Sequence, residues 1–496
     1  SAEEIGVDPK ELAAEYTIQH RQDFSDFLIQ FDNYHTTDSK ENQELVESIF
    51  SSLSNSGHIE KKIIEQAYDE KQQMFLPDRY VRGECPNCGE ADQYGDSCEH
   101  CGNTYKTTDL INPISVLSGV KPSLKTSEHY FLKLKNFESM LRDWIETIDI
   151  NDSVKAKLSE WFATGLKNWD ISRDEPYFGY KIPGEENKYF YVWLDAPVGY
   201  LASLKHLCDQ DNNSYQYDDY FSKDTTTRLI HFIGKDIIYF HSLFWPAVLE
   251  GAGLKKPDGI YVNGFLTVNG KKMSKSRGNF FTLKELTSKY GADVVRFTLC
   301  NAGEGLDDPN WEITFAETAG KKLNSWLSFV RRNKGKGRTT HHPVDAWFRE
   351  IMASVSNQAH KATERLKFRT STRLFFFELP QYFKWYLQRT GEPHADLLKE
   401  YISVVNRGIA PIVPHTAEEA WAISGEKDFI LNQPFPEGHS PDLSLITGED
   451  LVKQTLEDTR SILNIAKIAN PKEIVFITAP EWKWTAVRTA GELADG

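Results

Sequence analysis

The sequence lacks any apolar run close to the ~18 residues that cross a bilayer, and no signal peptide opens it. We therefore expect a cytoplasmic protein with no membrane partner. Cysteine is also scarce, with six in 496 residues, and most of it lies in one short stretch. Because secreted disulfide scaffolds are rich in cysteine, this usage favours a reducing compartment and a clustered metal site.

An excess of positive charge is also lacking, since 57 basic residues stand against 72 acidic ones and the formal net charge is −15. This balance argues only weakly against a nucleic-acid partner, because phosphate contacts depend on local patches. One such patch runs from Arg331 to Arg338 and reads Arg-Arg-Asn-Lys-Gly-Lys-Gly-Arg. Two interpretations of it stay open, a flexible charged linker and a contact to an RNA backbone. The length predicts about two to four domains.

The clustered cysteines form two pairs, with two residues inside each pair and nine between the pairs. They are Cys85, Cys88, Cys98 and Cys101. Each pair brings two thiolates to one side of a tight turn, and two pairs can close a tetrahedron around Zn²⁺. The alternative, two disulfides, is disfavoured in a reducing compartment. Four protein ligands leave no open coordination position, so we predict one structural zinc per chain.

A short basic loop lies between Gly270 and Gly278, with four cations and two hydroxyls in seven residues. Such a loop suits an anion with several oxygens, although a solvated basic turn is the alternative interpretation. The ordered string in its centre is Lys272, Met273, Ser274, Lys275 and Ser276. It resembles the second signature of class I aminoacyl-tRNA synthetases. The resemblance implies that these five residues bind the triphosphate of ATP, accompanied by Mg²⁺, and that Lys272 and Lys275 act on the phosphates.

Other stretches resemble the methionyl-tRNA synthetase family over about residues 1–278. They include Asp92–Asp96 between the cysteine pairs and Ser127–Phe131. The resemblance implies an α/β fold, with an incomplete class I Rossmann-like catalytic domain, a zinc-knuckle insertion and a following α-helical bundle. It also implies that the insertion helps to position the acceptor end of tRNA.

Two apolar stretches, Tyr189–Trp193 and Leu229–Gly234, are predicted to be buried parallel strands with ligands beyond their carboxyl ends. Most aromatic residues there also fit a role in the core. The resemblance implies a methionine side-chain site made of Trp193, Ala196, Pro197, Tyr200, Ile237 and His241, with Gly234 and Asp236 beside the adenosine. A polarisable thioether packs well on aromatic faces, and a Tyr hydroxyl or His N–H can donate weakly to sulfur.

The sequence after the basic loop resembles a different branch. Asn301–Trp311 and Ile474–Trp484 look like archaeal-type leucyl-tRNA synthetases. The methionyl family reads the anticodon with an Asn and an Arg one helical turn apart, but here Asn324 is followed four places later by Ser328. We therefore predict a methionyl-type front, about 1–278, joined to a leucyl-type back, about 279–496.

The family layout also implies a first strand and a His-Ile-Gly-His type signature, which we do not find; roughly 60 residues would precede this sequence.

Six regions are expected, and hydrophobic spacing predicts the elements within them. The regions are 1–65 as the remainder of the first half of the catalytic domain, 66–170 as the insertion with the zinc knuckle, 171–268 as the second half, 269–318 as the signature loop and stem-contact region, 319–470 as a helical bundle of the tRNA-binding type, and 471–496 as a truncated strand region. The predicted helices include Glu11–Arg21, Lys40–Ser54, Val154–Leu166 and Leu283–Lys289, and the predicted strands include Phe27–Phe31 and Ile474–Ile477.

Three functional hypotheses follow. The first is an enzyme that makes methionyl-adenylate from methionine and ATP and transfers the methionyl group to its tRNA. The second is a catalytically inactive tRNA-binding fragment, and the third is leucine ligation. Methionine ranks above leucine because the predicted amino-acid site lies in the front part of the chain. The sequence does not indicate the oligomeric state.

Overall fold

The structure is a computed structural model that describes residues 2–95, 98, 100, 105–210, 214–273 and 278–486. The chain divides into two compact units. The first comprises Ser1–Leu327, Lys367–Arg369 and Ile412–Thr416, and the second comprises Ser328–Leu366, Thr370–Pro411 and Ala417–Gly496. No helix in the described ranges is long and apolar enough to span a membrane.

The helices and strands have the following bounds. The helices are α1 (Ala2–Ile5), α2 (Pro9–Asp26), α3 (Lys40–Asn55), α4 (Glu138–Thr147), α5 (Asp152–Thr164), α6 (Val192–Cys208), α7 (Asp218–Phe221), α8 (Trp245–Gly251), α9 (Leu283–Tyr290), α10 (Ala292–Ala302), α11 (Ile313–Asn333), α12 (Val344–Glu364), α13 (Phe368–Arg373), α14 (Leu379–Thr390), α15 (Ala395–Ile409), α16 (Pro414–Ser424) and α17 (Leu443–Ile465). The strands are β1 (Ile59–Asp69), β2 (Met74–Phe75), β3 (Val81–Glu84), β4 (Gln93–Tyr94), β5 (Ile111–Ser115), β6 (Ser123–Leu132), β7 (Asp149–Ile150), β8 (Trp169–Asp170), β9 (Ser172–Asp174), β10 (Lys188–Phe190), β11 (Ile230–Gly234), β12 (Gly259–Asn263), β13 (Thr267–Val268), β14 (Lys271–Lys272) and β15 (Asn310–Trp311).

A short parallel sheet runs through the core of the first unit. β12 pairs in parallel with β11 on one side and with β7 on the other. Side chains of the sheet and of α3, α6 and α8 form one apolar cluster, in which Leu53, Leu201, Leu249 and Ile260 are fully buried. The predicted parallel strand at Leu229–Gly234 is thereby confirmed, and helices on a mainly parallel sheet confirm the α/β class.

Two antiparallel sheets lie mainly in the region predicted as the insertion, residues 66–170. β1 and β6 form the centre of a four-stranded sheet in the order β2-β1-β6-β8, and a smaller sheet in the order β4-β3-β5 carries the first cysteine pair. In β6, His129 is fully buried, with Nδ1 2.7 Å from an Asp170 oxygen and Nε2 2.9 Å from an Asp174 oxygen. Burial lowers the pKa of His129, but the two carboxylates outweigh it and the pKa is raised. These contacts join β6 to β8 and to the β9–β10 hairpin that leads into α6.

The predicted helices are confirmed, with ends shifted by a few residues. In α3, the Ser39 hydroxyl accepts a hydrogen bond from the Asn42 N–H at 3.3 Å, which caps the first turn. Ile49 and Leu53, one turn apart, are buried on the same face. The second unit is a helical bundle, as predicted, and its core includes the buried side chains of Trp347, Ile351, Val355, Leu374 and Leu379.

Two predicted strands at the ends of the chain are wrong. Phe27–Phe31 forms a turn after α2, in which the N–H groups of Leu28 and Ile29 donate back to the last carbonyls of that helix. Leu28 has a φ of 55°, and only Phe27 of this stretch is buried. Ile474–Ile477 has exposed side chains and no strand pairing. Neither stretch has a neighbouring strand within the described residues, so its backbone has no ladder to join.

The prediction of a buried parallel strand at Tyr189–Trp193 is wrong. β10 ends at Phe190 and pairs antiparallel with β9, and α6 begins at Val192. The aromatic residues suit a buried strand by composition, but the hairpin partner ends the pairing after three residues. Trp193 and Pro197 therefore lie in the first turns of a helix, not beyond the end of a parallel strand.

Candidate active site

Four of the predicted methionine-site residues meet between α6 and the helical segment that follows β11. The Trp193 ring stacks on Phe240, with centroids 3.7 Å apart, and lies edge-on to His241 at 6.1 Å. The Tyr200 hydroxyl is 3.1 Å from His241 Nε2. The result is an aromatic surface with one hydroxyl, and sequence reasoning missed Phe240 because an aromatic residue in a helix normally indicates core packing.

Hydrogen bonding fixes the proton on His241. Its Nδ1 is 3.3 Å from the Ile237 carbonyl, which accepts, so Nδ1 carries the proton and Nε2 accepts from the Tyr200 hydroxyl. Burial lowers the pKa of His241, and burial lowers the pKa of neighbouring His231 to about 4. Both imidazoles are therefore neutral near pH 7. The site carries no net charge from histidine, which suits an uncharged ligand group.

The other two predicted residues, Ala196 and Pro197, lie on the same helix, half-buried and buried respectively. Between them and Trp193 is Asp195, whose carboxyl the sequence prediction left out. Burial raises the pKa of Asp195 to about 7. Burial, and to a smaller extent the Asp195 charge, raises the pKa of the Tyr177 hydroxyl as well. A half-buried carboxyl with a raised pKa beside a candidate site is a common functional feature, and burial was the signal that the sequence did not carry.

The predicted adenosine residues follow β11 directly. Gly234 is the last residue of the strand, and Asp236 lies in the next helical turn with an exposed side chain. A Cβ atom on Gly234 would lie 2.5 Å from the Asp236 carboxylate oxygen Oδ1. Glycine at this position therefore allows the carboxylate to fold back over the strand end.

The predicted ATP loop starts from a tight hairpin. β13 and β14 are joined by Asn269 and Gly270, whose φ values of 47° and 75° are typical of a two-residue Asn-Gly turn. Lys272 is exposed, and Met273 packs on an apolar cluster that contains Val268 and Trp311. Ser274, Lys275 and Ser276 lie outside the described residues. Lys272 is thus exposed to solvent, and the packing of Met273 anchors the end of the hairpin.

The strand end and the hairpin are held by one segment, residues 307–311. Asn310 Oδ1 accepts from the Gly270 N–H at 2.8 Å, and β15 pairs in parallel with β13. Lys235, next to Gly234, forms an ion pair with Asp308, which also accepts from the Phe265 N–H at 2.7 Å. The strand end that carries Gly234 and the hairpin that carries Lys272 are therefore held by the same segment.

Gly264 allows this frame to close, and a Gly264→Ala variant should loosen it. A Cβ atom there would lie 2.6 Å from the Asp307 carbonyl carbon and 2.7 Å from Asp308 Oδ1. Because backbone cannot yield as a side-chain tip does, we expect a loss of about 2 kcal/mol in the free energy of unfolding, measured with denaturant. Gly448→Ala, in α17 with nothing within 4 Å of the added atom, is the matched control. Equal stability of the two variants would contradict this account.

The cysteine cluster is brought together by the small β4-β3-β5 sheet. The ligand atoms of Cys85, Cys88 and Cys98 all lie within 4.8 Å of one another, and the Cys88 and Cys98 sulfurs are 3.6 Å apart. Two thiolates on one tetrahedral Zn²⁺ are about 3.8 Å apart, so the spacing fits. Burial raises the pKa of Cys85, but hydrogen bonds from the Cys88 and Asn87 N–H groups outweigh it and the pKa falls to about 7. The cluster can hold a metal ion; Cys101 lies outside the described residues.

The comparisons with known proteins agree with this geometry. Residues 1–333 match the family model of tRNA synthetases class I (M), so the match continues past residue 278, and residues 345–476 match the anticodon-binding domain of tRNA ligase. The fold is similar to Mycobacterium tuberculosis methionyl-tRNA synthetase in complex with methionyl-adenylate, with 20% identity, a TM-score of 0.66, and coverage of 86% of this chain and 83% of that one. A second structure of that enzyme, bound by methionyl-adenylate, has 19% sequence identity and a TM-score of 0.64. The match covers 89% of this chain and 88% of that one. The chain belongs to the class I aminoacyl-tRNA synthetases, of the M type, and carries an anticodon-binding domain.

Proposed function

We propose that the protein activates methionine with ATP and transfers the methionyl group to tRNA(Met) in the cytoplasm. The observation that carries the methionine assignment is the uncharged aromatic surface formed by Trp193, Phe240, Tyr200 and His241. An unbranched thioether gains dispersion energy on such faces. The His241 N–H is engaged with a backbone carbonyl and the Tyr200 hydroxyl is engaged with His241 Nε2, so a sulfur atom would meet the ring faces. The methionyl-adenylate bound in the two similar structures supports the same assignment.

The reaction needs no side-chain nucleophile. The methionine carboxylate attacks the α-phosphate of ATP and pyrophosphate leaves; a ribose hydroxyl of the tRNA end then attacks the acyl carbonyl and AMP leaves. Lys272 and Lys275 neutralise charge on the phosphates, together with the Mg²⁺ that accompanies ATP. Gly234 and Asp236 sit by the adenosine. The chain contributes orientation and fixed charge, which are the main sources of rate in such a transfer.

ATP–pyrophosphate exchange with methionine and with leucine, in separate reactions, tests the assignment. We expect exchange with methionine and none above background with leucine. One methylene contributes only ~1–3 kcal/mol of discrimination, so isoleucine and norleucine should be included to rank the pocket. Exchange with leucine alone would overturn the proposal. Binding of tRNA without any exchange would favour a tRNA-binding protein without catalytic activity.

We also propose that Cys85, Cys88, Cys98 and Cys101 hold one structural Zn²⁺. Cys85→Ser and Cys98→Ser should each release about one zinc per chain, measured by metal analysis after gel filtration. Cys208→Ser, far along the chain in α6, should retain the metal and serves as the control. Full zinc content in both knuckle variants would refute the site.

A further inference from the structure

A cavity of ≈ 400 Å³ lies in the second unit, where α12 and α15 begin, and the proposed function does not use it. Its polar lining consists of His341, His342, His394, Arg349 and Asp345. The lining is thus rich in hydrogen-bond donors. The question is which of these groups are already engaged by the protein.

The one carboxylate is fully engaged. Arg338 donates to both oxygens of Asp345, the Tyr386 hydroxyl donates at 2.6 Å, and the His342 N–H donates at 2.8 Å. Burial raises the pKa of Asp345, but these hydrogen bonds outweigh it and lower the pKa to about 2. The negative charge of Asp345 is therefore paired with Arg338, the last cation of the basic patch. It is not available to a ligand in the cavity.

His394 presents an unpaired donor. Its side chain is only 7% exposed, and its Nδ1 accepts a hydrogen bond from the Asp396 N–H at 3.3 Å. Because Nδ1 accepts this hydrogen bond, the ring proton lies on Nε2, at the far edge of the ring. Nε2 has no hydrogen-bond partner in the described part of the chain. His341 stacks on the ring, with centroids 5.0 Å apart, and holds it in place. This N–H group is therefore available to an acceptor that enters the cavity.

Two more donor side chains line the same cavity. His342 Nδ1 accepts from the Val344 N–H at 3.2 Å, so its proton also lies on Nε2. The Arg349 guanidinium is 3.8 Å from a Glu400 oxygen, which is beyond hydrogen-bond distance, and both side chains are about half exposed at 50% and 44%. Because the imidazoles offer N–H groups and not lone pairs, the lining is unsuited to a metal ion and suited to an anion.

We propose that this cavity binds a phosphate group through His342, His394 and Arg349. A phosphate offers several acceptor oxygens and a charge that the guanidinium matches. The phosphate can be a phosphodiester of bound tRNA, which rests on the proposed function, or a small inorganic phosphate. The two sources share the same contacts and are separated by the experiment below.

The first arm uses the full chain with ¹⁵N-labelled histidine and titrates inorganic phosphate at constant ionic strength with chloride as the balancing anion. The imidazole signals of His342 and His394 should shift and saturate. His342→Asn and His394→Asn identify these signals; each Asn oxygen can still accept the backbone N–H, so the helix start is kept while the far donor is lost. His439→Gln, an exposed histidine outside the cavity, is the control.

The second arm measures tRNA binding. The double variant His394→Asn, Arg349→Gln should bind about tenfold more weakly, and the slope of log affinity against log salt should fall by about one. Saturable shifts with unchanged tRNA binding assign the site to small phosphates. The absence of saturable shifts in His342 and His394 overturns the proposal. Phosphate titration does not depend on methionine exchange, so failure of the proposed function would be seen separately.

Discussion

Replacement of Lys272 by glutamine should lower methionine-dependent ATP–pyrophosphate exchange by about two to three orders of magnitude, with little change in the affinity for methionine. The side chain stands exposed at the end of the β13–β14 hairpin, where a cation can meet the triphosphate. Glutamine keeps the length and some hydrogen bonding but removes the charge. Negative charge develops on the phosphates in the transition state. Removal of the lysine charge therefore destabilises the transition state most.

Two hydrogen bonds fix the backbone around Lys272. Its carbonyl accepts a hydrogen bond from Asn279 at 3.0 Å, and Asn310 holds the hairpin turn. The charge is therefore presented from a fixed backbone, which is the condition under which electrostatic stabilisation is strong. Asn310→Ala should lower exchange by a smaller factor, because it loosens the hairpin without removing a charge.

Lys271→Gln provides the matched control for Lys272→Gln. The two lysines are neighbours in one strand, so their side chains point to opposite faces, and both are exposed. We expect Lys271→Gln to retain exchange within a few-fold. Equal losses in the two variants would mean that net charge around the loop matters and not the position of Lys272. Unchanged exchange in Lys272→Gln would contradict its assignment to the phosphates.

Local composition predicted the elements that stay within one stretch of sequence. Leu229–Gly234 is a strand, as its apolar run indicates, and α3 follows its apolar spacing. Tyr189–Trp193 has a similar composition but becomes a short hairpin strand and a helix start, because β9 is its partner. Pairing partners are set by tertiary structure, and a single stretch does not reveal them.

The candidate site shows the same division. Motif resemblance named Trp193, Tyr200 and His241, and the structure brings them together. Phe240 and Asp195 were missed because their roles depend on stacking and burial, which have no local signature. The segment that holds the strand end and the hairpin also escaped prediction, since its contacts join residues far apart in the chain.

Asp195→Asn should make the protein more stable above neutral pH and leave it unchanged near pH 4. Burial raises the folded-state pKa of Asp195 to about 7, whereas an unfolded aspartate titrates near 3.9. Between these values the folded state holds a proton that the unfolded state has lost, so stability falls as pH rises through this window. At 1.36 kcal/mol per pKa unit, the shift from about 3.9 to about 7 gives a penalty above pH 7 on the order of 4 kcal/mol.

His231 changes stability with pH in the opposite direction, over nearly the same pH range. Its folded-state pKa of about 4 lies below the ~6.5 of an unfolded histidine, so the unfolded state binds the extra proton and stability rises with pH from 4 to 6.5. The two slopes partly cancel in the wild type. Removing the Asp195 carboxyl should therefore expose the histidine slope, so that the variant gains stability from pH 4 to 6.5.

Denaturant unfolding of wild type and Asp195→Asn at half-unit steps from pH 4 to 8 measures this effect. The difference between the two free energies of unfolding should be near zero at pH 4 and reach its plateau above pH 7. Asp209→Asn, at the exposed end of the same helix, should give a small difference with no step in that window. A pH-independent difference for Asp195→Asn would show that its carboxyl is ionised throughout and that the surrounding protein solvates it. Because Asp195 lies between Trp193 and Tyr200 in the helix, a gain in stability with a loss of methionine exchange would show that this half-buried carboxyl serves the reaction at the expense of the fold.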